Sequence, residues 1–467
     1  MNSPPQTGKA SAGGSEGAEP PNLKALAWTG STYFAQGLPW SILHQVAAEF
    51  FTTIGVAPSG VGRTSLLHGP MLFKVFWSPI VAMVSTLRTW MVATQAFMGI
   101  LLGGLALAAH SLVQKLDIGA ELNDAGSPDM STVWAILLSI GVLSAVHDIA
   151  CDGFYMTALR DKDQARYSGY RVAAFRSAML VGGSGLVIIA GRTSWLAAFA
   201  AASALMIALA LIHHFILPRP QASPVSDEVE NKKRKKSFRD FAAPYLSFLR
   251  QDSVLLVLAF LVLYKMADAL MFSMSSVFLA RELGIDADLR GLIRAFSTIA
   301  GIFGAVWGGS EIARRGLKKT LWLFTLLMVV TEPLYALLAA FAPQLSLFQN
   351  GVATNMESVD WGAHGLTLVV VTGVIVIEQI FGGLATAAQV VFIMRRCNPQ
   401  HKTTHYAFAT VVISLSQMGL GVASGEVYEL FGPEVYFWLV SLAAIPAIIL
   451  AKYVPLGEEK APASGSC

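Results

Sequence analysis

Charged side chains are scarce: Asp, Glu, Lys and Arg make up 13% of the 467 residues, about half the share of an ordinary soluble domain. With 54% of the chain hydrophobic, no soluble core of this length would hide so much apolar surface. The class that remains is a membrane protein with many spans. Cysteine is nearly absent: the three present, Cys151, Cys397 and Cys467, are far apart, so no disulfide framework is expected. There is no phosphate-binding loop, no His-Glu-x-x-His and no nucleophile elbow, so enzymatic chemistry is not expected either. Nor is a cleavable signal expected. Met1 to Pro21 is rich in Pro, Gly, Ser and Ala and reads as a disordered tail.

Long apolar runs dominate the rest. A span takes roughly 20 mostly apolar residues, and twelve runs meet that length: 23–47, 60–84, 89–113, 131–158, 166–191, 194–217, 252–280, 289–312, 319–343, 365–394, 403–430 and 432–455. They are numbered here as spans 1 to 12. Only Gly191-Arg192-Thr193 separates spans 5 and 6, a tight turn between antiparallel helices. Basic residues concentrate on one side of this layout, in Arg160, Lys162 and Arg166, in Lys232 to Lys236, in Arg314, Arg315, Lys318 and Lys319, and in Arg395, Arg396 and Lys402. That bias predicts an even number of spans with both termini in the cytoplasm. The Lys232–Lys236 run lies in a polar stretch, 218–250, and reads as a cytoplasmic linker carrying topology charges. A nucleic-acid partner is not expected. The predicted organisation is a tail (1–22), a six-helix bundle (23–217), the linker (218–250), a second six-helix bundle (251–457) and a tail (458–467).

The two bundles show a faint repeat. Asp148 and Glu378 are offset by 230 positions, as are Trp77 and Trp307, and Tyr33 and Tyr264 are offset by 231. Self-similarity between two six-helix halves is what a parallel-repeat transporter of the major facilitator type shows, with substrate held between the halves. Trp307-Gly-Gly-Ser-Glu-Ile-Ala-Arg-Arg-Gly-Leu-Lys-Lys319 resembles that superfamily's basic cytoplasmic loop.

Ionisable groups inside the spans mark the candidate site. Asp148 and Asp152 are four apart and share a face of span 4. Each carboxylate at bilayer depth costs about 3 kcal/mol on insertion scales, so the pair needs a cation or a shared proton. Lys74, Arg176 and Lys265 fall at a similar depth in spans 2, 5 and 7. Lys74 is either a contact for substrate anions or a partner of the span-4 acids. Lys265 and Asp268 are three apart and can pair on their own helix. Glu378, beside Gln379, stands alone in an apolar run of span 10, and an isolated buried carboxyl is expected to be protonated part of the time, as proton coupling requires. Gln36, Gln45, Gln389 and Gln417 add neutral donors and acceptors suited to a sugar or peptide, or to bonds between helices. Arg171 reads as snorkelling to the inner surface. Glu332, before Pro333 in span 9, reads as a kink or lipid-edge group. His147 and Cys151 share a face, but the chain holds no second Cys/His cluster, so no metal site is expected. No cofactor is implied.

Four motifs together carry a resemblance: Phe34-Ala-Gln-Gly-Leu-Pro39, Phe73-Lys-Val-Phe-Trp-Ser-Pro79, His147-Asp-Ile-Ala-Cys-Asp152 and Glu378-Gln-Ile-Phe-Gly-Gly383. In this order they resemble the AmpG muropeptide permease family, and Ala178 to Gly183 and Met394 to Pro399 fit as well. The resemblance implies a multi-pass bacterial inner-membrane protein that imports anhydro-muropeptides by proton-coupled alternating access. In that reading Asp148, Asp152 and Glu378 handle the proton. Lys74, Arg176, Gln36, His147, Tyr264, Lys265, Asp268, Gln379 and Gln389 form the substrate site. The expected partners are a polar small molecule, protons and the lipid bilayer, and the chain is expected to act as a monomer. Three departures bear on the cargo: Val81-Ala82-Met83 and, near the end of span 4, Tyr155-Met156-Thr157 stand where the family often has an acid, and His147 where it usually has Gln. The same branch includes siderophore importers and acetyl-CoA transporters, which remain alternative cargoes; a membrane sensor that transports nothing is a third reading.

Overall fold

The computed structural model describes residues 23–74, 81, 84–117, 129–159, 161–219, 238–349 and 351–456. The two expected tails, the Lys232–Lys236 run and Trp77-Ser78-Pro79 lie outside the described residues. Within them the regular elements are helices, accompanied by two isolated bridges, Ile285 with Thr354 and Gln349 with Val352.

Nine helical stretches among the described residues are long and apolar enough to cross a bilayer. They hold spans 3 to 12, because the last stretch, Thr404–Tyr453, contains both spans 11 and 12 around a turn at Gly432 (φ 75°) and Pro433. Only a residue without a Cβ takes that left-handed turn freely. Spans 1 and 2 are helical but interrupted. Span 1 runs as Leu23–Ser41, a π-turn over Ile42–Val46 and Ala47–Thr53. Span 2 begins as three short helical pieces from Pro58 to Leu72.

The interruptions have local causes and place polar groups. Span 5 carries its own π-turn, Val181–Gly185, opposite that of span 1. A Cβ on Gly182 would fall 1.8 Å from Ser41 Oγ, and one on Gly183 1.7 Å from Gln45 Oε1, so these two glycines set how closely spans 1 and 5 approach. Span 7 breaks between Val254–Leu263 and Met266–Arg281, with Tyr264 and Lys265 at the joint. Span 9 breaks at Glu332, between Leu317–Thr331 and Pro333–Ala340, because Pro333 has no N–H to continue the ladder.

Each half has its own aromatic packing. Phe50, Trp195 and Phe199 meet edge-on or tilted in the first half, and Phe278, Tyr335, Tyr436 and Phe437 do so in the second. The halves join through close backbone contact at one end. A Cβ on Gly425 of span 11 would lie 2.2 Å from the carbonyl oxygen of Pro58, and one on Gly62 2.7 Å from that of Gly421. Arg281 donates to the carbonyl of Val56 at 2.6 Å, and Arg63 pairs with Glu426 at 3.3 Å. The expected linker is not extended throughout: Phe238–Leu249 is a helix. It buries Phe248 against His405 and Phe408 of span 11, and Ser247 hydrogen-bonds His405 at 2.7 Å.

Candidate transport site

Between the halves lies a cavity of about 390 Å³. The first half contributes Trp40, Gln45, Glu49, Arg176 and Met179 to its wall, and the second contributes Lys265, Asp268, Glu378, Gln379, Gln389 and Gln417 among others. The π-turn of span 1 carries Gln45 on this wall, and the break in span 7 frees Lys265 from regular helix.

Sequence reasoning treats Glu378 as solitary. In the fold it has company. Lys265 Nζ lies 3.0 Å from Asp268 Oδ1 and donates to the carbonyl of Gly382 at 3.2 Å, and Gln379 Nε2 donates to Glu378 Oε2 at 2.8 Å. Glu378 Oε1 and Asp268 Oδ1 converge on the space beside Gly382. Gly382 leaves the room: a Cβ there would meet Asp268 at 3.1 Å and Glu378 at 3.4 Å.

Asp148 and Asp152 form a separate cluster that does not line this cavity. Asp148 accepts from Lys74 and from Gln36, so Lys74 is its partner in this conformation. Asp152 accepts from the Tyr33 hydroxyl at 2.6 Å and pairs with Arg171 at 3.6 Å. Arg171 therefore does not snorkel away. Its guanidinium lies over the rings of Tyr33 and Tyr155. The cluster's span-1 members, Tyr33 and Gln36, lie on the segment Leu23–Ser41, toward the opposite end of the span from Glu49.

Besides Lys74 and Gln36, which are held on Asp148, two further expected substrate residues lie off the cavity wall. His147 is fully buried and turned about 100° from Asp148 by the helix period; it bonds Gln95 of span 3 at 2.8 Å, and Gln95 bonds His213 of span 6 at 2.8 Å. Tyr264 is 1% exposed, its hydroxyl in hydrogen-bonding range of the Ala385 carbonyl and Thr325; it packs spans 7, 9 and 10 together. Arg176 lines the cavity with no ion-pair partner among the described residues, and Gln389 Nε2 and Gln45 Oε1 also lack hydrogen-bond partners there.

The residues that sequence reasoning missed close the cavity. Glu49 accepts from Arg290 at 2.9 Å, from Arg294 at 2.6 Å and from Ser276 at 2.6 Å. Arg290 also donates to Thr53 Oγ1 at 2.9 Å. Arg290 and Arg294, four apart near the start of span 8, need an anion in common, and that spacing was the available signal. Glu311 accepts from Arg314 at 2.9 Å and forms an ion pair with Arg315 at 2.6 Å on its own helix, so the acid of the basic loop is occupied within one helix.

The family model of the Major Facilitator Superfamily matches residues 26–374. The chain belongs to the Major Facilitator Superfamily. Facilitator structures share its fold: a nucleoside transporter NupG variant aligns over 92% of this chain and 98% of its own with a TM-score of 0.60 at 15% identity. A D-xylose-proton symporter aligns over 93% and 98% with a TM-score of 0.62 at 11% identity. In sequence the facilitator is similar to the anhydromuropeptide permease of Escherichia coli strain K12, 25% identical over 89% of this chain and 77% of that protein. An uncharacterized protein of Haemophilus influenzae is 26% identical over 92% of this chain and 94% of its own. The chain is thus a multi-pass membrane transporter of a small-molecule substrate rather than an enzyme.

Proposed function

We propose that this facilitator imports anhydro-muropeptides, the disaccharide-peptide fragments of cell-wall turnover, across the bacterial inner membrane in symport with protons. The observation that carries this reading is the cavity's division of labour. Its wall carries a cation with no ion-pair partner among the described residues, Arg176, and the amides Gln45, Gln389 and Gln417 from both halves, together with the Lys265–Asp268–Glu378–Gln379 cluster. A glycopeptide offers carboxylates for the arginine and amides and hydroxyls for the glutamines. Trp40 and Phe272 supply apolar faces for a sugar ring. The volume falls within the range of small-ligand sites, and the similarity to the Escherichia coli permease points to the same cargo.

The coupling proton resides on the Asp268–Glu378 pair, which can hold one proton between two carboxyls and release it when cargo or Lys265 shifts. Asp148 and Asp152 form a second titratable station at the Arg171 end, neutralised here by Lys74 and Arg171. With the termini in the cytoplasm, the Glu49–Arg290 end faces outward and is shut, so this is an inward-facing conformation. Work comes from inward proton flow while the halves rock about the cavity.

The test is uptake of labelled GlcNAc-anhydroMurNAc-tripeptide into proteoliposomes under an imposed pH gradient. The reading expects gradient-driven accumulation in the wild type, none with Glu378→Gln, and counterflow exchange in both. Thermal stabilisation by ferric hydroxamates or acetyl-CoA, with none by the muropeptide, would reassign the cargo.

A further inference from the structure

Glu332 is the least comfortable carboxyl in the molecule. It is 1% exposed, and neither oxygen has a hydrogen-bond partner among the described residues. It lies outside the cavity wall, at the break of span 9, and on the level of Glu378: the Tyr264 hydroxyl reaches Thr325 of span 9 and the Ala385 carbonyl of span 10, and Glu332 and Glu378 stand seven residues from these along the two antiparallel helices. Tyr335, one turn on, lines the cavity and bonds Ser275 at 3.2 Å. Glu332 is therefore not at the lipid edge. It sits behind the site.

The charges around it do not balance. Three carboxyls, Asp268, Glu378 and Glu332, share one lysine, Lys265, which is already 3.0 Å from Asp268. Arg294 does not make up the difference, because it is bound to Glu49. A carboxylate with no donor in reach costs several kcal/mol when buried, so Glu332 is carried as the neutral acid in this conformation. The Pro333 break leaves the carbonyl one turn earlier without its helical donor, which makes this the part of span 9 best able to turn.

We propose that Glu332 is a second proton-binding residue of the transport cycle, a reserve acid that exchanges its proton with Glu378 when the cavity empties. The O–H bond broken on one carboxyl is formed on the other, and the charge of the cluster is unchanged by the transfer. This rests on the proton-symport reading above and adds a station to it. Such a station keeps Glu378 supplied from the side that cargo does not occupy.

Two measurements test it on the full-length protein in vesicles. Infrared spectroscopy without cargo reads the carbonyl stretch of protonated carboxyls while the pH is stepped. The wild type is expected to show a band that Glu332→Gln removes and whose pH response Glu378→Gln alters. Uptake of GlcNAc-anhydroMurNAc-tripeptide driven by a pH gradient is expected to fall by about tenfold or more in Glu332→Gln, with counterflow held within about twofold of wild type. Loss of the band with gradient-driven uptake unchanged makes Glu332 a fixed internal donor and overturns the proposal, as does an unaltered band. If Glu332→Gln does not fold, Glu332→Asp takes its place, and an unshifted band overturns the proposal. A wild type that shows the band and its coupling to Glu378 but no gradient-driven uptake sinks the symport reading instead, leaving the shared proton standing.

Discussion

Glu49 of span 1 and Arg290 of span 8, 241 positions apart, meet at 2.9 Å with side chains 1% and 3% exposed. The pair ties the two halves together above the cavity, and Arg294 and Ser276 complete the shell around Glu49. Removing one partner leaves a buried charge uncompensated, which costs about 3–5 kcal/mol. That cost falls on the conformation closed at this end, because the pair spans the halves. Glu49→Gln should therefore raise the reactivity of a cysteine at Ser297, on the cavity wall, toward a membrane-impermeant thiol reagent applied from the Glu49 side. Glu49→Leu combined with Arg290→Met should do less damage to thermal stability than either single change. Unchanged labelling in Glu49→Gln would remove the latch.

Glycine substitutions should separate packing within a half from packing between halves. A Cβ on Gly304 would lie 2.1 Å from the carbonyl of Ile380, inside the second half, and one on Gly425 2.2 Å from the carbonyl of Pro58, across the halves. Backbone cannot retreat as a side chain can, and overpacking costs about 1–3 kcal/mol. Gly304→Ala should lower the melting temperature in detergent without favouring either conformation. Gly425→Ala should open the Glu49 end, read by the same cysteine labelling.

The spans and the two-half plan were legible because apolar length and charge asymmetry are properties of the chain itself. Span 10, expected at 365–394, is Trp361–Arg396. What the sequence hid was partnership across distance. Glu378 reads as solitary along its own helix, yet its neighbours Lys265 and Asp268 come from span 7. Glu49 lies near a span end, where a charge needs no explanation, and only folding buries it. His147 illustrates the opposite error: next to Asp148 in sequence, it is one helical step away in direction and belongs to another cluster. Tyr33 and Tyr264 repeat at nearly the same offset but do different work, one holding Asp152 and the other packing spans.

Arg176 lines the cavity and has no ion-pair partner among the described residues, so its charge is available to cargo. A hydrogen bond between charged groups contributes about 1.5–3 kcal/mol, which predicts roughly 10- to 100-fold weaker binding of an acidic muropeptide to Arg176→Met. An analogue with its carboxylates amidated should bind wild type and variant alike. Calorimetric titration of both ligands checks this, and an equal loss for both would make Arg176 a packing residue.

His147 provides the sharpest test of which polar groups serve cargo. Its ring is buried, bonded to Gln95 at 2.8 Å, and linked through Gln95 to His213, which reaches Ser31 at 2.9 Å. This chain ties spans 1, 3, 4 and 6 together inside the first half and has no member on the cavity wall. Glutamine can keep a bond to Gln95, so His147→Gln should leave muropeptide uptake and its affinity unchanged. Leucine cannot, and His147→Leu should strand the Gln95 amide at a cost of about 1–3 kcal/mol, lowering the melting temperature while the apparent affinity of the folded fraction stays put. If His147 touched cargo instead, both variants would weaken binding, and His147→Gln would do so without loss of thermal stability.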